Sequence, residues 1–272
     1  MQSLTVTKCH GTGNDFVLLD ARGLGNIPYP DLARELCRRR TSLGADGMLV
    51  LEPASHSANA VAMRIFNADG SEAESCGNGL RCVARYLHEQ DTRNDTFDIE
   101  TASGAVRAQI VSFRGAPGVR VCLGAPSVSR DDSGRTVNGS LVREISMGNP
   151  HTVVFVSAGL EAIDLDKLAD QLTQGQPDST NLEVAIIASN EISMRVRERG
   201  VGETWACGTG ACAVAAAAIE AGRATSPVTI RSKGGVVTVE WSGPRSPAYL
   251  TGDAQLVYRT TIPMPVSRAS IS

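Results

Sequence analysis

The feature that most constrains this chain is an internal repeat. Cys76-Gly77-Asn78-Gly79 and Cys207-Gly208-Thr209-Gly210 stand 131 residues apart in a sequence of 272. Their flanks return in the same register: Arg64 and Arg195 lie twelve residues before their cysteine, Asn67 and Glu198 nine, Glu72 and Glu203 four. One four-residue match can arise by chance; shared flanks point to duplication. Each copy reads as strand, glycine-containing loop, cysteine, helix. The helices are predicted over Leu80–Gln90 and Ala211–Ala221, with Gly222 as a stop signal. The second, rich in alanine, is apolar almost all round, as a central helix should be. The expected fold is therefore α/β (α+β), with two similar pseudo-symmetric halves, each a strongly curved, barrel-like sheet around one central helix. The boundary falls near Ala116–Gly118. It gives a first half over 1–117, a second over 118–258, and a tail, about 259–272, free to return to the first half.

The remainder reads as short strands joined by glycine-rich turns. Leu4–Cys9 and Phe16–Asp20 flank Gly11-Thr12-Gly13-Asn14, and Val228–Arg231 and Val236–Trp241 flank Gly234-Gly235. Two further helices are predicted, over Asp31–Arg40 and Asp164–Gln174. The run Arg38-Arg39-Arg40 would then complement a helix C-terminus. The tail after Pro263 is expected to fray.

Charge narrows the function classes. With 26 basic and 29 acidic side chains the formal charge is −3, which gives no reason to expect nucleic-acid or membrane partners. The longest plainly apolar run, Ala211–Ile219, is half of what a membrane span needs. No secretory signal opens the chain, and the 7 cysteines are odd in number. Reduced thiols in a cytoplasmic protein are expected. Neither a zinc spacing nor a dinucleotide fingerprint occurs: Phe16, Cys82 and Trp205 occupy the third-glycine positions of the three candidate loops.

A cysteine just before a helix faces backbone N–H groups that lack intrahelical partners, at the positive end of the helix dipole. That setting favours thiolate. The same N–H groups can hold a carboxylate. Two such thiols, one from each half and on opposite sides of one substrate carbon, would suit inversion of a stereocentre: one removes a proton, the other delivers one to the opposite face.

At this point the residues carry a family resemblance. His10-Gly11-Thr12-Gly13-Asn14-Asp15-Phe16, Asn67-Ala68-Asp69-Gly70-Ser71-Glu72, Met147-Gly148-Asn149-Pro150-His151, Glu198-Arg199-Gly200-Val201-Gly202-Glu203-Thr204 and the two cysteine motifs, taken in order, resemble diaminopimelate epimerase. The resemblance spans nearly the whole chain. It implies a cofactor-independent racemase mechanism, with no metal, acting on LL- and meso-diaminopimelate, a diamino dicarboxylate of lysine and peptidoglycan-precursor synthesis. It implies Cys76 and Cys207 as the catalytic pair, with His151 and Glu198 in support. The backbone at Gly77, Asn78, Gly208 and Thr209 would hold the carboxylate at the reacting carbon. Asn14, Asn67, Asn149, Asn181, Glu198 and Arg199 would hold the distal end. A homodimer is compatible with the family.

Three other readings compete. A sister racemase would use the same two thiols on another amino acid. A thiol redox protein would want a C-x-x-C or an exposed pair. An amino-acid binder would need neither thiol. Cys82 and Cys212, inside the two helices, are expected to be packing residues, and Cys9, Cys37 and Cys122 structural.

Overall fold

The computed structural model describes residues 3–73, 76–129, 136–137 and 139–264. They form two compact units, one built from the segments up to Val119 and from Ala254 onward, the other from Arg120–Asp253. The architecture is mixed α+β.

In the first unit β1 (Ser3–Gly11) turns into β2 (Asn14–Asp20), then α1 (Tyr29–Leu36), β3 (Gly47–Glu52), β4 (Val61–Asn67) and the two-residue β5 (Glu72–Ala73). Next come α2 (Gly77–Gln90), β6 (Thr96–Thr101) and β7 (Gly104–Phe113). The unit boundary falls inside β8 (Ala116–Cys122). The pairings run β1–β2 antiparallel, β2–β3 parallel, β3–β4 antiparallel, β4–β6 parallel and β6–β7 antiparallel. Each parallel pair needs a crossover, and α1 and α2 supply the two.

The second unit repeats this scheme. After the short β9 (Ser127–Val128) and β10 (Thr136–Val137) come β11 (Ser140–Ser146), β12 (Pro150–Phe155), α3 (Leu165–Leu172), β13 (Asn181–Ala188) and β14 (Glu191–Glu198). Then follow β15 (Gly202–Thr204), α4 (Gly208–Glu220), β16 (Val228–Ser232), β17 (Gly235–Glu240) and β18 (Tyr249–Gly252). From β11 to β17 the pairings alternate antiparallel, parallel, antiparallel, parallel, antiparallel, as from β1 to β7. The last strand among the described residues, β19 (Gln255–Pro263), lies antiparallel on β1, so all of this strand belongs to the first unit.

Both faces of each sheet are covered, which explains why β2 and β3 read as continuous apolar runs. On one face α1 packs Leu32, Ala33 and Leu36 against Leu4, Val6, Val17, Leu19, Met48 and Val50. On the other the sheet curves round α2, which touches β1, β2, β6, β7 and β19. In the second unit α3 sits over Val142, Val154, Leu182 and Val184. The opposite face wraps α4, where Ala211 to Ala218 are all buried.

Several elements differ from the sequence reading. Both cysteine-led helices begin three residues earlier, because the glycines form the first helical turn and the cysteine is the N-cap. Helix α1 stops at Leu36: Gly44 and Ala45 return to donate to the carbonyls of Leu36 and Cys37, so those acceptors are satisfied by a loop. Gly44 has φ +69, and a Cβ there would lie 2.7 Å from Arg39 Cα. Arg39 therefore does not serve the helix terminus; it bridges Asp15 at 2.7 Å and Asp46 at 2.5 Å. The short β5 and β15 carry too few residues for any periodicity to announce them. Residues 265–272, where fraying was expected, lie outside the described residues. Among those described, no helix is long and apolar enough to cross a membrane.

Candidate active site

The repeated motif repeats its geometry. Cys76 and Cys207 are both extended N-cap residues, with φ/ψ of −152/110 and −126/121. Each sulfur accepts the N–H of the glycine three residues on, Gly79 or Gly210, at 3.4 Å. The N–H groups of residues 77–78 and 208–209 precede the first intrahelical bonds, which Leu80 and Ala211 donate to the cysteine carbonyls. The preceding hairpins match too. Ile65 pairs with Ala73 as Val196 pairs with Thr204, and a two-bond Arg–Glu clamp closes each: Arg64–Glu72 at 2.7 and 2.8 Å, Arg195–Glu203 at 2.8 and 2.9 Å.

Around Cys76 the first unit assembles amides. Asn14 Oδ1 accepts from Cys76 Sγ at 3.8 Å and from Asn78 Nδ2 at 3.1 Å, while Asn14 Nδ2 donates to Asp46 Oδ2 at 2.9 Å. The Asp46 carboxylate accepts only, which fixes which end of the Asn14 amide faces the thiol. Asn14 follows a two-residue turn in which Thr12 (φ 49) and Gly13 (φ 78) are both left-handed. A β-branched residue is costly there. Arg81, fully buried, holds it: one Nη donates to Thr12 Oγ1 and to Asn78 Oδ1, both at 3.0 Å. Sequence reading missed Arg81, which sits two residues past the motif, one turn into α2, where nothing marks a charged residue as buried. Asn67 lies at the end of β4 and donates to Ser71 Oγ within its own turn, at 2.9 Å.

Around Cys207 the second unit assembles acids. Thr209 Oγ1 lies 3.4 Å from the sulfur, and the thiol hydrogen-bonds with Glu198, which also accepts from Thr204 Oγ1. His151 is fully buried; its Nε2 faces Asn149 Oδ1 at 3.2 Å and its Nδ1 faces Glu183 Oε1 at 2.8 Å. Burial raises the Glu198 carboxyl above its ordinary range, against the hydrogen bonds from Thr204 and Cys207. Burial likewise pushes the Cys207 thiol well up, reinforced by the charges of Glu198 and Glu183 and opposed by Thr209 and the Gly210 N–H. The expected thiolate character is thus reversed at Cys207: desolvation and two carboxylates outweigh the helix terminus.

Asn181 is buried and serves the backbone, donating to Pro150 O and accepting from the Arg199 N–H, each at 2.9 Å. Arg199 itself is exposed, and no protein group pairs its guanidinium among the described residues. Its neighbour Arg197 is spent on Asp166 and Asp178. No cluster of three His, Cys, Asp or Glu side chains able to hold a metal ion occurs among the described residues.

The family model for diaminopimelate epimerase matches residues 6–128 and 144–257. The chain belongs to the diaminopimelate epimerase family. A diaminopimelate epimerase of Halothermothrix orenii is 38% identical, over 94% of this chain and 96% of that protein. One from Desulforudis audaxviator is 40% identical, over 93% and 96%. Among solved structures, a PhzF-family phenazine biosynthesis protein of Bacillus anthracis matches with TM-score 0.77 at 17% identity, covering 97% of this chain and all of that one. A hydroxyproline epimerase from Agrobacterium vitis matches with TM-score 0.69, also at 17%, over 96% and 91%. At such identities these two share the fold alone. The matched segments include both cysteine-capped helix starts.

Proposed function

We propose that this chain is an isomerase that interconverts LL- and meso-2,6-diaminopimelate through a thiol pair, Cys76 and Cys207, without a cofactor. The observation that carries the reading is the doubled helix start: in each unit a cysteine N-cap lies beside N–H groups suited to a carboxylate, in a chain of this family. One sulfur takes the α-proton: the Cα–H bond breaks and an S–H bond forms. The electron pair left on carbon is delocalised into the α-carboxylate, whose charge the N–H groups of residues 77–78 and 208–209 stabilise. The other thiol gives its proton to the opposite face and becomes thiolate; solvent exchange then resets the pair. The buried, acid-flanked Cys207 suits the proton-holding role at rest.

At the distal end Arg199 grips a carboxylate with two bonds. Asn14, Asn67, Asn149, Asn181 and Glu198 complete the contacts, with Asn181 acting by setting the Arg199 backbone. His151 supports the charge balance near Glu198. The test is incubation of reduced protein with LL-diaminopimelate in deuterated water. Deuterium at the α-carbon with formation of the meso isomer is expected. Absence of exchange with any diamino acid overturns the reading, and exchange confined to another amino acid transfers it to a sister racemase.

A further inference from the structure

The two units differ at one spot beneath the cysteines. Strand register makes Leu49, paired with Ile65, the counterpart of Glu183, paired with Val196, because Ile65 and Val196 occupy matching places in the two hairpins. The same register makes Phe16, beside Gly47, the counterpart of His151, beside Asn181. Packing agrees. A Cβ on Gly79 would first meet Leu49 Cδ2, at 2.9 Å; one on Gly210 would first meet Glu183 Oε1, with Glu183 Cδ at 3.1 Å. An apolar floor in one unit is thus a His–Glu pair in the other, with both side chains fully buried.

Burying a carboxylate is costly unless its oxygens are satisfied. Only Oε1 of Glu183 is; Oε2 is buried with no hydrogen-bond partner among the described residues. The duplicated scaffold shows that this position accepts leucine. A stability cost kept where an apolar residue fits points to function.

We propose that Glu183 is a positioning residue for Cys207: with His151 it forms an acidic floor that fixes the imidazole and makes Cys207, not Cys76, the proton-holding thiol. The inference rests on the two-thiol reading. No step passes through Glu183; it acts by charge and by the ring it holds. Its Oε1 lies against the glycine whose N–H caps the Cys207 sulfur, so it sits under the reacting group without replacing it.

Alkylation of the reduced, substrate-free protein with iodoacetamide at neutral pH, mapped by peptide, tests this directly. In E183Q, an isostere without the charge, Cys207 should react faster on the order of tenfold, the change that one unit of thiol acidity brings. Cys76 should stay within about twofold, below a third of a unit on the same scale. Cys212, buried in the same helix, reports opening: a rise at Cys207 matched by one at Cys212 means a loosened helix and overturns the proposal. H151F/E183L installs the first unit's own pair and so keeps the floor packed; the same selective rise at Cys207 is expected. An unchanged Cys207 in both variants overturns the inference. E183Q should also lower epimerisation kcat by roughly tenfold with KM little changed, the effect that one unit of Cys207 acidity has on the step the thiol performs. If wild-type protein shows no α-exchange, the two-thiol reading fails, whereas an unaltered Cys207 in an active enzyme defeats Glu183 alone.

Discussion

The start of α2 and the start of α4 share their backbone and differ in their surroundings. The cysteine N-cap, the 3.4 Å bond from the third-residue glycine and the Arg–Glu clamp recur in both. Around Cys76, however, stand amides and an apolar floor, Asn14, Asn78 and Leu49. Around Cys207 stand Glu198, His151 and Glu183. What duplication kept is the machinery that presents a sulfur beside N–H donors. What diverged is the charge around that sulfur. On the two-thiol proposal, each turnover starts with one thiol without its proton and the other with it, and the two surroundings bias which is which at rest.

Removing the thiols breaks the comparison most sharply. Cys76→Ala and Cys207→Ala should each lower epimerisation by roughly a thousandfold or more, since each deletes one of two proton-transfer groups. Each variant should retain at most α-proton exchange without inversion, and on opposite isomers. Proton NMR in deuterated water reads both. A single variant that inverts at near wild-type rate would show that the two sites are not complementary.

The glycines under the sulfurs give the next contrast. At Gly79 an added methyl meets the end of Leu49, which can turn aside; at Gly210 it meets a carboxylate pinned to His151. Overpacking costs about 1–3 kcal/mol, while leaving glycine in a helix returns up to ~1 kcal/mol. Gly79→Ala should therefore be near neutral by urea unfolding. Gly210→Ala should lose about 1–2 kcal/mol, the overpacking cost less the helical gain, and most of its activity. Equal effects would mean that Glu183 is not held rigidly.

The two clamps differ in a way that stability can read. Arg195 is 14% exposed and also donates to the carbonyls of Leu160 and Ile163, both at 2.8 Å; Arg64 is 38% exposed. Arg195→Ala strands those carbonyls and should cost about 2–3 kcal/mol. Arg64→Ala removes a surface pair worth roughly 1 kcal/mol or less. Chemical denaturation of the two variants side by side decides whether the clamps are equivalent.

Much of this molecule is legible in its sequence, because its strongest signals are local. Glycine after cysteine marks a helix start, the repeated flanks mark a duplicated sheet, and the alanine-rich run from Ala211 marks a central helix. What escapes is what register decides. Glu183 stands in an apolar stretch, Leu182-Glu183-Val184-Ala185, and Arg81 stands one turn into a helix. A lone charge in such places reads as a solvent-facing residue until strand pairing turns it inward. The thiol environment escapes for the same reason: the helix terminus is visible in sequence, whereas Glu198 and Glu183 reach Cys207 only through folding.

The smallest effects are in acid and separate the two sites by sign. Asp15, beside Asn14, is pulled from 3.8 to about 2: burial opposes the shift, but hydrogen bonds from Arg39 and Lys8 overcome it. The corresponding place in the second unit is Pro150, which has nothing to titrate. A lowered carboxylate contributes stability that is present above its unfolded value, near pH 4, and lost as pH falls toward 2. The full shift sets a ceiling of about 2 kcal/mol, and because Arg39 is 58% exposed the realised amount should be about 1 kcal/mol. Asp15→Asn should thus unfold at lower urea than wild type at pH 6, with the gap closing by pH 2. Glu198 has the opposite sign. Burial raises it, so its stability contribution is complete below its unfolded value and falls as pH rises through the folded one. Glu198→Gln should therefore gain stability on wild type as pH climbs from 4 toward 7, while losing activity. A gap that widens in acid for either variant would erase the electrostatic distinction between the amide-lined and the acid-lined thiol.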